Sequence, residues 1–177
     1  IGRYIVPIHS YIGATQILPE KTDILPFGDA VDDSRFAVRY FRKTPEGALL
    51  FGGVENYGTA YLSNIESAIR RQLYEIYPQL KGIKFTHLWG GTVGITVQRM
   101  PLIRKLDKNL IYCGGYSGHG VLLAPYIGKL YADYLLQRSN HLQILKELKI
   151  SRFWGGRFIQ KPLVLLALFS FSLLDKF

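Results

Sequence analysis

The chain has 177 residues, of which 48% are hydrophobic and 20% are charged, a balance that indicates a globular protein and excludes a disordered or fibrous one. The single cysteine, Cys113, excludes an internal disulfide framework, so we expect a buried free thiol and a cytoplasmic setting. The formal net charge is +9, but no basic run is longer than a pair, which favours a solvated basic surface over a nucleic-acid interface.

Strands are predicted in the first third of the chain. The segment RYIVPIHSYIGATQILPE, residues 3–20, is rich in β-branched and aromatic residues and is stopped by Pro19, which predicts one or two strands. From Phe36 to Phe51, residues of alternating character flank the turn sequence TPEG, residues 44–47. That pattern predicts a β-hairpin.

The period of the pattern then changes from two to about 3.6. Apolar residues recur every three or four positions between residues 62 and 77, which predicts an amphipathic helix. Ser63 to Glu66 fits a capping box at its start, and Pro78 is its predicted stop. The segment from Gly82 to Pro101 predicts two further strands, broken at Gly90-Gly91.

The stretch IYCGGYSGHGV, residues 111–121, places four glycines and a histidine between a predicted strand, Asn109–Cys113, and a predicted helix that ends near Arg138. This order brings free amides and the positive end of a helix dipole to one point, which attracts an anion or an electron-rich carbonyl. The glycine spacing is not the G-x-G-x-x-G dinucleotide fingerprint. On the residues alone, a tight structural turn and a ligand site explain the cluster equally well.

The tail after Ser139 predicts a weak helix, a turn at WGGR and a terminal apolar helix, Leu163–Leu174. An uncharged stretch of that length is too short to span a bilayer, which takes about 20 residues. We expect a buried or surface-docked helix. Peripheral contact with a membrane, flanked by Lys161 and Lys176, is the alternative.

The glycine stretch resembles the flavin-contacting segment of the glycine oxidase and D-amino-acid oxidase (DAO) family of FAD-dependent oxidoreductases, in which a strand leads to G-[FY]-S-G-H-G and a helix. YFRKTPEGALLFGG, residues 40–53, is similar to the family's hairpin, and YPQL, residues 77–80, to the end of its helix. HLWGGTVGITVQRMP, residues 87–101, is similar to its W-x-G segment. Residues 153–177 are similar to the terminal helix of the γ-glutamylputrescine oxidase-like branch. The motifs occur in the family's order and cover nearly the whole chain.

The resemblance implies an α+β (α/β) fold, equivalent to the C-terminal part of a two-domain FAD oxidoreductase. Residues 1–101 would form a substrate-domain portion, residues 102–138 the C-terminal piece of the FAD-binding domain, and residues 139–177 a helical tail. The family's N-terminal Rossmann unit, whose G-x-G-x-x-G holds the ADP part of FAD, is absent from the 177 residues. The missing N-terminal half of the same enzyme is therefore an expected partner, and this chain alone is expected to be inactive.

The predicted strands should assemble into two sheets. The hairpin of residues 36–51 is expected to pair with the strands around Phe85 and Ile95 in a mixed or antiparallel sheet, whereas Asn109–Cys113 belongs to a separate sheet. The resemblance implies oxidation of a small amine, γ-glutamylputrescine or a related compound, by hydride transfer to FAD, with dioxygen as the acceptor. A non-catalytic module without cofactor and a basic protein at a membrane surface remain the alternatives.

The resemblance assigns the cofactor contacts to the glycine cluster. Amides around Gly118 and Gly120 would face the pyrimidine edge of the flavin, where a helix N-terminus stabilises negative charge on the ring. Glycine is required there because a Cβ would hold the ring away. The implied FAD-binding residues are Gly115, Tyr116, Ser117, Gly118, His119, Gly120 and Val121. No metal site is expected.

His119 is also the implied catalytic residue, because it matches a family position that lies over the flavin and the substrate pocket. An imidazole there would orient an amine or favour its neutral form. The alternative is a histidine that caps the helix by bonding to the backbone.

Three residues are implied in substrate binding. Tyr40 and Arg42 occupy alternate positions of the hairpin strand and therefore share one face. Arg42 would meet a substrate carboxylate or, alternatively, pair with Asp32 or Asp33. Trp89 would line the pocket or, alternatively, be a buried core aromatic.

Departures from the family pattern bear on the substrate. Amino-acid oxidases of this family carry an arginine at the position of Val93, and sarcosine oxidases a lysine at the position of Leu122. Because both carboxylate-binding residues are missing, the sequence favours an amine over an α-amino acid. Gln98 replaces the usual aspartate or asparagine and Ala48 the usual arginine, which weakens the match to a working enzyme.

Overall fold

The computed structural model describes residues 1–20, 22–35, 37–56, 58, 60–154, 162 and 166. The chain divides into two compact units. Among the described residues, the loop unit comprises those within 1–8 and 93–162, and the sheet unit comprises those within 9–92 together with Leu166. The predicted terminal helix lies outside the described residues except for Leu166, and the WGGR turn lies outside them except for Trp154, so both stay predictions.

The sheet unit is built around a five-stranded sheet with the strand order β2-β3-β4-β1-β5. The predicted hairpin is confirmed: β3 and β4 pair antiparallel, and within the TPEG turn the Thr44 amide donates to the Ala48 carbonyl at 2.7 Å. Residue 36 lies outside the described residues, and the first hairpin strand begins at Tyr40. The strands are β1 (Val6–Ile17), β2 (Ala30–Asp32), β3 (Tyr40–Lys43), β4 (Ala48–Asn56) and β5 (Phe85–Ile95).

Two predictions about this sheet are wrong. The hairpin does not pair directly with β5, because the long strand β1 pairs with β4 and lies between them. The two strands predicted between Gly82 and Pro101 are a single strand, because β5 runs through Gly90-Gly91. A Cβ at Gly90 would lie 2.5 Å from the Tyr11 ring, so this glycine allows close packing of β5 on β1 rather than a turn.

The predicted amphipathic helix is confirmed as α1 (Ile65–Ile76), followed by a short 3-10 helix, Pro78–Leu80. The predicted capping box at Ser63 is wrong by one residue, because Asn64 Oδ1 accepts from the Ser67 amide at 2.9 Å. Glu66 instead pairs with Arg70 one turn later. The helix covers one face of the sheet and forms the main core with it. The fully buried members of that core are Tyr11, Ile24, Leu49, Phe51, Ile69 and Leu73.

The loop unit holds a second, two-stranded antiparallel sheet. The strands of this sheet are β6 (Leu102–Asp107) and β7 (Leu110–Gly114), and two helices follow them, α2 (Gly120–Leu135) and α3 (His141–Glu147). The predicted strand at residues 109–113 is therefore confirmed, as is its place in a separate sheet, whereas β6 was not predicted. A second core cluster joins β6 to α2 and α3 through Ile103, Ile127, Leu130 and Leu142. Helices and antiparallel sheets in one chain confirm the predicted α+β class.

Candidate functional site

The glycine loop, residues 115–119, connects β7 to α2, and three of its residues lie in the left-handed region of backbone conformation. The φ angles are +72° at Gly115, +53° at Ser117 and +96° at Gly118. Gly115 is buried, and a Cβ on it would lie 2.7 Å from Thr96 Cγ2. Gly118 is exposed, and no heavy atom lies within 4 Å of the position its Cβ would take. Gly115 is therefore required by packing, whereas Gly118 leaves open space in front of the main chain.

A turn beneath the loop, residues 94–100, fixes its conformation. The Ser117 amide donates to the Gly94 carbonyl at 2.9 Å. Ser117 Oγ accepts from the Thr96 amide at 3.2 Å, and Thr96 Oγ1 donates to the Met100 carbonyl at 2.8 Å. Ser117 and Thr96 are only 6% and 1% exposed. The hydroxyl and the amide of Ser117 are thus both committed to the protein interior.

His119 stands at the N-cap of α2, but its side chain does not cap the helix. Its amide donates to the Tyr116 carbonyl at 3.0 Å and its carbonyl accepts from the Leu123 amide at 2.9 Å. The imidazole is exposed and makes no capping hydrogen bond, so the helix-capping alternative is wrong. The first helical amides, from Gly120 to Leu122, have no partner within the helix. No acidic side chain lies in the first turn.

Apolar side chains are exposed beside these amides. Val121 is 96% exposed, Leu122 73% and Tyr126 53%. Exposure of this extent on neighbouring apolar residues is uncommon on a surface that meets only water. The start of α2 therefore combines free amides with an apolar surface, which suits a flat aromatic ligand that carries hydrogen-bond acceptors.

Tyr116 and Cys113 lie on the inner side of the loop, packed against the second core cluster. Cys113 is free and half-buried rather than fully buried as predicted. Burial raises the pKa of the Cys113 thiol and that of the Tyr116 phenol. Both groups are therefore uncharged at neutral pH, and Cys113 lacks the thiolate character of a reactive cysteine.

The three predicted substrate residues lie on one face of the five-stranded sheet, which we call the open face. Phe41 and Leu88 pack against the core under α1. Side chains alternate along a strand, so Tyr40 and Arg42, which flank Phe41, and Trp89, which follows Leu88, point to the opposite face. Within the sheet unit, none of the described helices covers that face.

Tyr40 lies across the sheet rather than standing away from it. Its ring covers Gly52 on the neighbouring strand, where a Cβ would collide with the ring. Its hydroxyl lies 3.2 Å from Ser10 Oγ on β1. Trp89, on the far edge strand, is 45% exposed, so it is not the buried aromatic of the alternative. Three strand spacings, about 14 Å, separate the strand of Tyr40 from that of Trp89.

Arg42 is exposed and forms no ion pair with any described residue. Its predicted alternative partner Asp33 is engaged by Arg39, whose amide lies 2.9 Å from Oδ1, and by the Arg35 amide at 3.3 Å. Burial alone raises the pKa of Asp33, but these hydrogen bonds outweigh it and hold the pKa below its usual value. Asp32 lies opposite Tyr40 and is also unpaired in the described part of the chain. The ion-pair alternative for Arg42 is therefore wrong.

Sequence reasoning missed the residues that hold the glycine loop. Thr96 lies in the stretch that resembles the family's W-x-G segment, residues 87–101, and that resemblance was the available signal. Gln98, interpreted as a weakening departure, has a partner: its Oε1 accepts from the Ser151 amide at 3.0 Å. The turn of residues 94–100 thus bonds to the loop on one side and to the segment after α3 on the other.

No helix in the described ranges is both long and apolar enough to cross a membrane.

Comparison with known proteins shows the family to which the chain is related. A family model described as FAD dependent oxidoreductase (DAO) matches residues 2–134. A probable oxidoreductase OrdL of Rhizobium meliloti is 51% identical over 99% of this chain and 41% of its own length. The gamma-glutamylputrescine oxidoreductase of Escherichia coli is 31% identical over 99% of this chain and 42% of its own length. The chain therefore spans about two-fifths of the curated relatives that it matches.

Solved structures share the fold. Glycine oxidase from Bacillus cereus superposes with a TM-score of 0.63 at 20% identity, over 84% of this chain and 39% of that one. L-proline dehydrogenase from P. horikoshii gives a TM-score of 0.61 at 22% identity, over 80% of this chain and 38% of that one. Since the family model matches well over half of the residues, the chain belongs to the DAO family of FAD-dependent oxidoreductases.

Proposed function

We propose that this chain provides the flavin-contacting loop and the substrate-facing sheet of an FAD-dependent enzyme that oxidises amines. The observation that carries the proposal is the glycine loop. Gly118 leaves open the space that a Cβ would fill, next to helix amides without partners inside α2. The exposed apolar side chains beside it suit the ring system of FAD, the cofactor of the family.

When bound, FAD accepts a hydride equivalent from the C–H bond beside the substrate nitrogen. The amides from Gly120 to Leu122 stabilise negative charge that develops on an electron-rich edge next to them. His119, exposed and without a capping bond, holds or accepts a proton from an ammonium group and so favours the neutral amine. Tyr40, Arg42 and Trp89 bind the substrate on the open face.

An amine is the proposed substrate class for two reasons. Val93 and Leu122 stand where amino-acid and sarcosine oxidases of the family carry their carboxylate-binding residues. One relative at 31% identity is named for γ-glutamylputrescine. Dioxygen is the proposed acceptor, and the N-terminal Rossmann unit of the family is the proposed partner for the ADP part of FAD. Residues 1–101 and 102–138 are proposed as substrate-domain and FAD-domain portions, in a cytoplasmic enzyme.

A visible spectrum tests the cofactor. The enzyme that contains this chain together with a Rossmann unit should be yellow as purified, and anaerobic addition of primary or γ-glutamyl amines should bleach the flavin band faster than α-amino acids do. With air, hydrogen peroxide should form. A colourless protein would favour the non-catalytic alternative, and sedimentation with anionic liposomes that depends on residues 163–177 would favour the membrane-surface alternative.

The role of His119 is tested separately. His119→Ala should keep the flavin, slow its anaerobic reduction by amine and change the pH dependence of that reduction. His141→Ala, an exposed histidine at the start of α3, is the matched control and should reduce at the normal rate. An unchanged reduction rate in the His119 variant would remove that residue from the active site.

A further inference from the structure

Asp32 and Arg42 form an unpaired couple of opposite charges on the open face. In the register of β2 and β3, Asp32 lies opposite Tyr40 and Ala30 lies opposite Arg42. Asp32 and Arg42 are therefore diagonal neighbours on one face, with Cα atoms about 7–8 Å apart. Val31, between Ala30 and Asp32, packs against the core, which turns Asp32 to the same side as Arg42.

The two charges could meet, but they do not. Both side chains are exposed, and no ion pair joins them in the described residues. The neighbouring carboxylate Asp33, on the other side of the strand end, instead engages Arg39 and Arg35. Asp33 thus stabilises the fold, whereas the Asp32 carboxylate can still accept hydrogen bonds from a ligand.

The residues next to Asp32 and Arg42 indicate the direction in which a bound ligand would extend. The ring of Tyr40 lies flat over Gly52 towards β1, so it extends an apolar, aromatic surface away from the charged couple. Beyond it, in the direction of Trp89, come Ile12 on β1 and then β5. A ligand with a charged head at Asp32 and Arg42 would therefore lay its stem along Tyr40.

We propose that Asp32 and Arg42 bind a zwitterionic α-amino-acid head, Asp32 accepting hydrogen bonds from its ammonium and Arg42 donating to its carboxylate. The proposal deepens, and rests on, the proposed amine oxidation, since it makes the substrate an amine whose far end carries such a head. A γ-glutamyl diamine has this shape. Its extended chain from the α-carbon to the terminal nitrogen measures about 10 Å, within the distance from β3 to β5.

Binding and turnover are measured with two probes. γ-Glutamylethylamide carries the zwitterionic head but has an ethyl group in place of the chain that bears the terminal primary amine, and its Kd is measured by anaerobic calorimetry on the FAD-loaded enzyme. N-Acetylputrescine carries the amine without the head, and is compared with γ-glutamylputrescine as a substrate. The variants are Asp32→Asn and Arg42→Gln. The matched controls are Asp23→Asn, in an exposed loop, and Arg71→Gln, on the exposed side of α1.

Each test variant should weaken γ-glutamylethylamide binding about tenfold, as expected for loss of a hydrogen bond to a charged group. In each test variant, the KM for γ-glutamylputrescine should rise by a similar factor with little change in kcat, while the KM for N-acetylputrescine stays unchanged. The two control variants should keep the parent values of Kd and KM for all three compounds. Binding that depends on Asp32 and Arg42 in an enzyme that no amine reduces would support this site and contradict the proposed oxidation. Normal oxidation with binding indifferent to both variants would overturn this site alone.

Discussion

The glycine loop and the open face contact their surroundings with different parts of the chain. In the loop, the side chain and the amide of Ser117 bond inward to Thr96 and Gly94, and the exposed main chain is that of Gly118 and His119. On the open face, Tyr40 and Arg42 stand on paired strands whose main chain is fully used in the sheet. A site made of main chain constrains its own sequence through packing, whereas a site made of side chains on a sheet can change without disturbing the fold.

The largest expected effect is at Gly115. Gly115→Ala forces an L residue into φ +72° and brings a Cβ against Thr96 and Ile5, which should cost about 3 kcal/mol in the free energy of unfolding. Gly118→Ala, with open space around its Cβ, should cost about 1 kcal/mol. Urea denaturation of both variants measures the difference. Equal losses would show that packing does not distinguish these two glycines.

The two serines provide the next comparison. Ser117→Ala leaves the buried Thr96 amide without its acceptor, which should cost about 1–3 kcal/mol. Ser10→Ala removes only the partly buried contact with the Tyr40 hydroxyl and should cost about 0.5–1 kcal/mol. If the Ser10 variant were the less stable of the two by urea denaturation, the loop would not be anchored as described.

Asp33 gives the sheet unit a pH dependence that the glycine loop should not share. Its pKa is lowered in the folded state, so its contribution is fully present above the unfolded pKa of about 3.9 and is lost as the pH falls through the lower folded pKa. Asp33→Asn should therefore reduce stability at pH 7 and have little effect at strongly acidic pH. A stability loss of the same size at both pH values would exclude this carboxylate as the cause.

The smallest stability effect is expected at His119. Because its imidazole is exposed and caps nothing, His119→Ala should change the free energy of unfolding by less than about 0.5 kcal/mol. Thermal unfolding of the variant, followed by circular dichroism, measures this. A loss of 1 kcal/mol or more, about the worth of a helix cap, would restore the capping alternative.

Local pattern predicted the elements better than their assembly. The hairpin, α1 and β7 follow from periodicity and turn residues near each other in sequence, and all three are present. The position of β1 between the hairpin and β5 depends on pairing between distant segments, which no local pattern encodes. Gly90 was misinterpreted for a similar reason, because what requires glycine there is Tyr11, far away along the chain.

The same distinction holds for the candidate site. The glycine loop could be located from its motif, since its order of strand, turn and helix is local. The inward hydrogen bonds of Ser117 and the partner of Gln98, Ser151, could not be predicted, because each joins segments more than twenty residues apart in the chain. On the open face, the shared side of Tyr40 and Arg42 followed from strand alternation, but the free state of Asp32 required the register of β2.

Flavin binding by two alanine variants tests the role of the loop most directly. A Cβ at Gly118 would enter the open space in front of the loop, and one at Gly128, within α2, would also meet nothing within 4 Å. If the loop faces the flavin, Gly118→Ala should weaken FAD binding about tenfold or more, because its Cβ would hold the ring away from main-chain donors, while Gly128→Ala keeps the parent affinity. Equal FAD affinity in the two variants would contradict a flavin at the glycine loop.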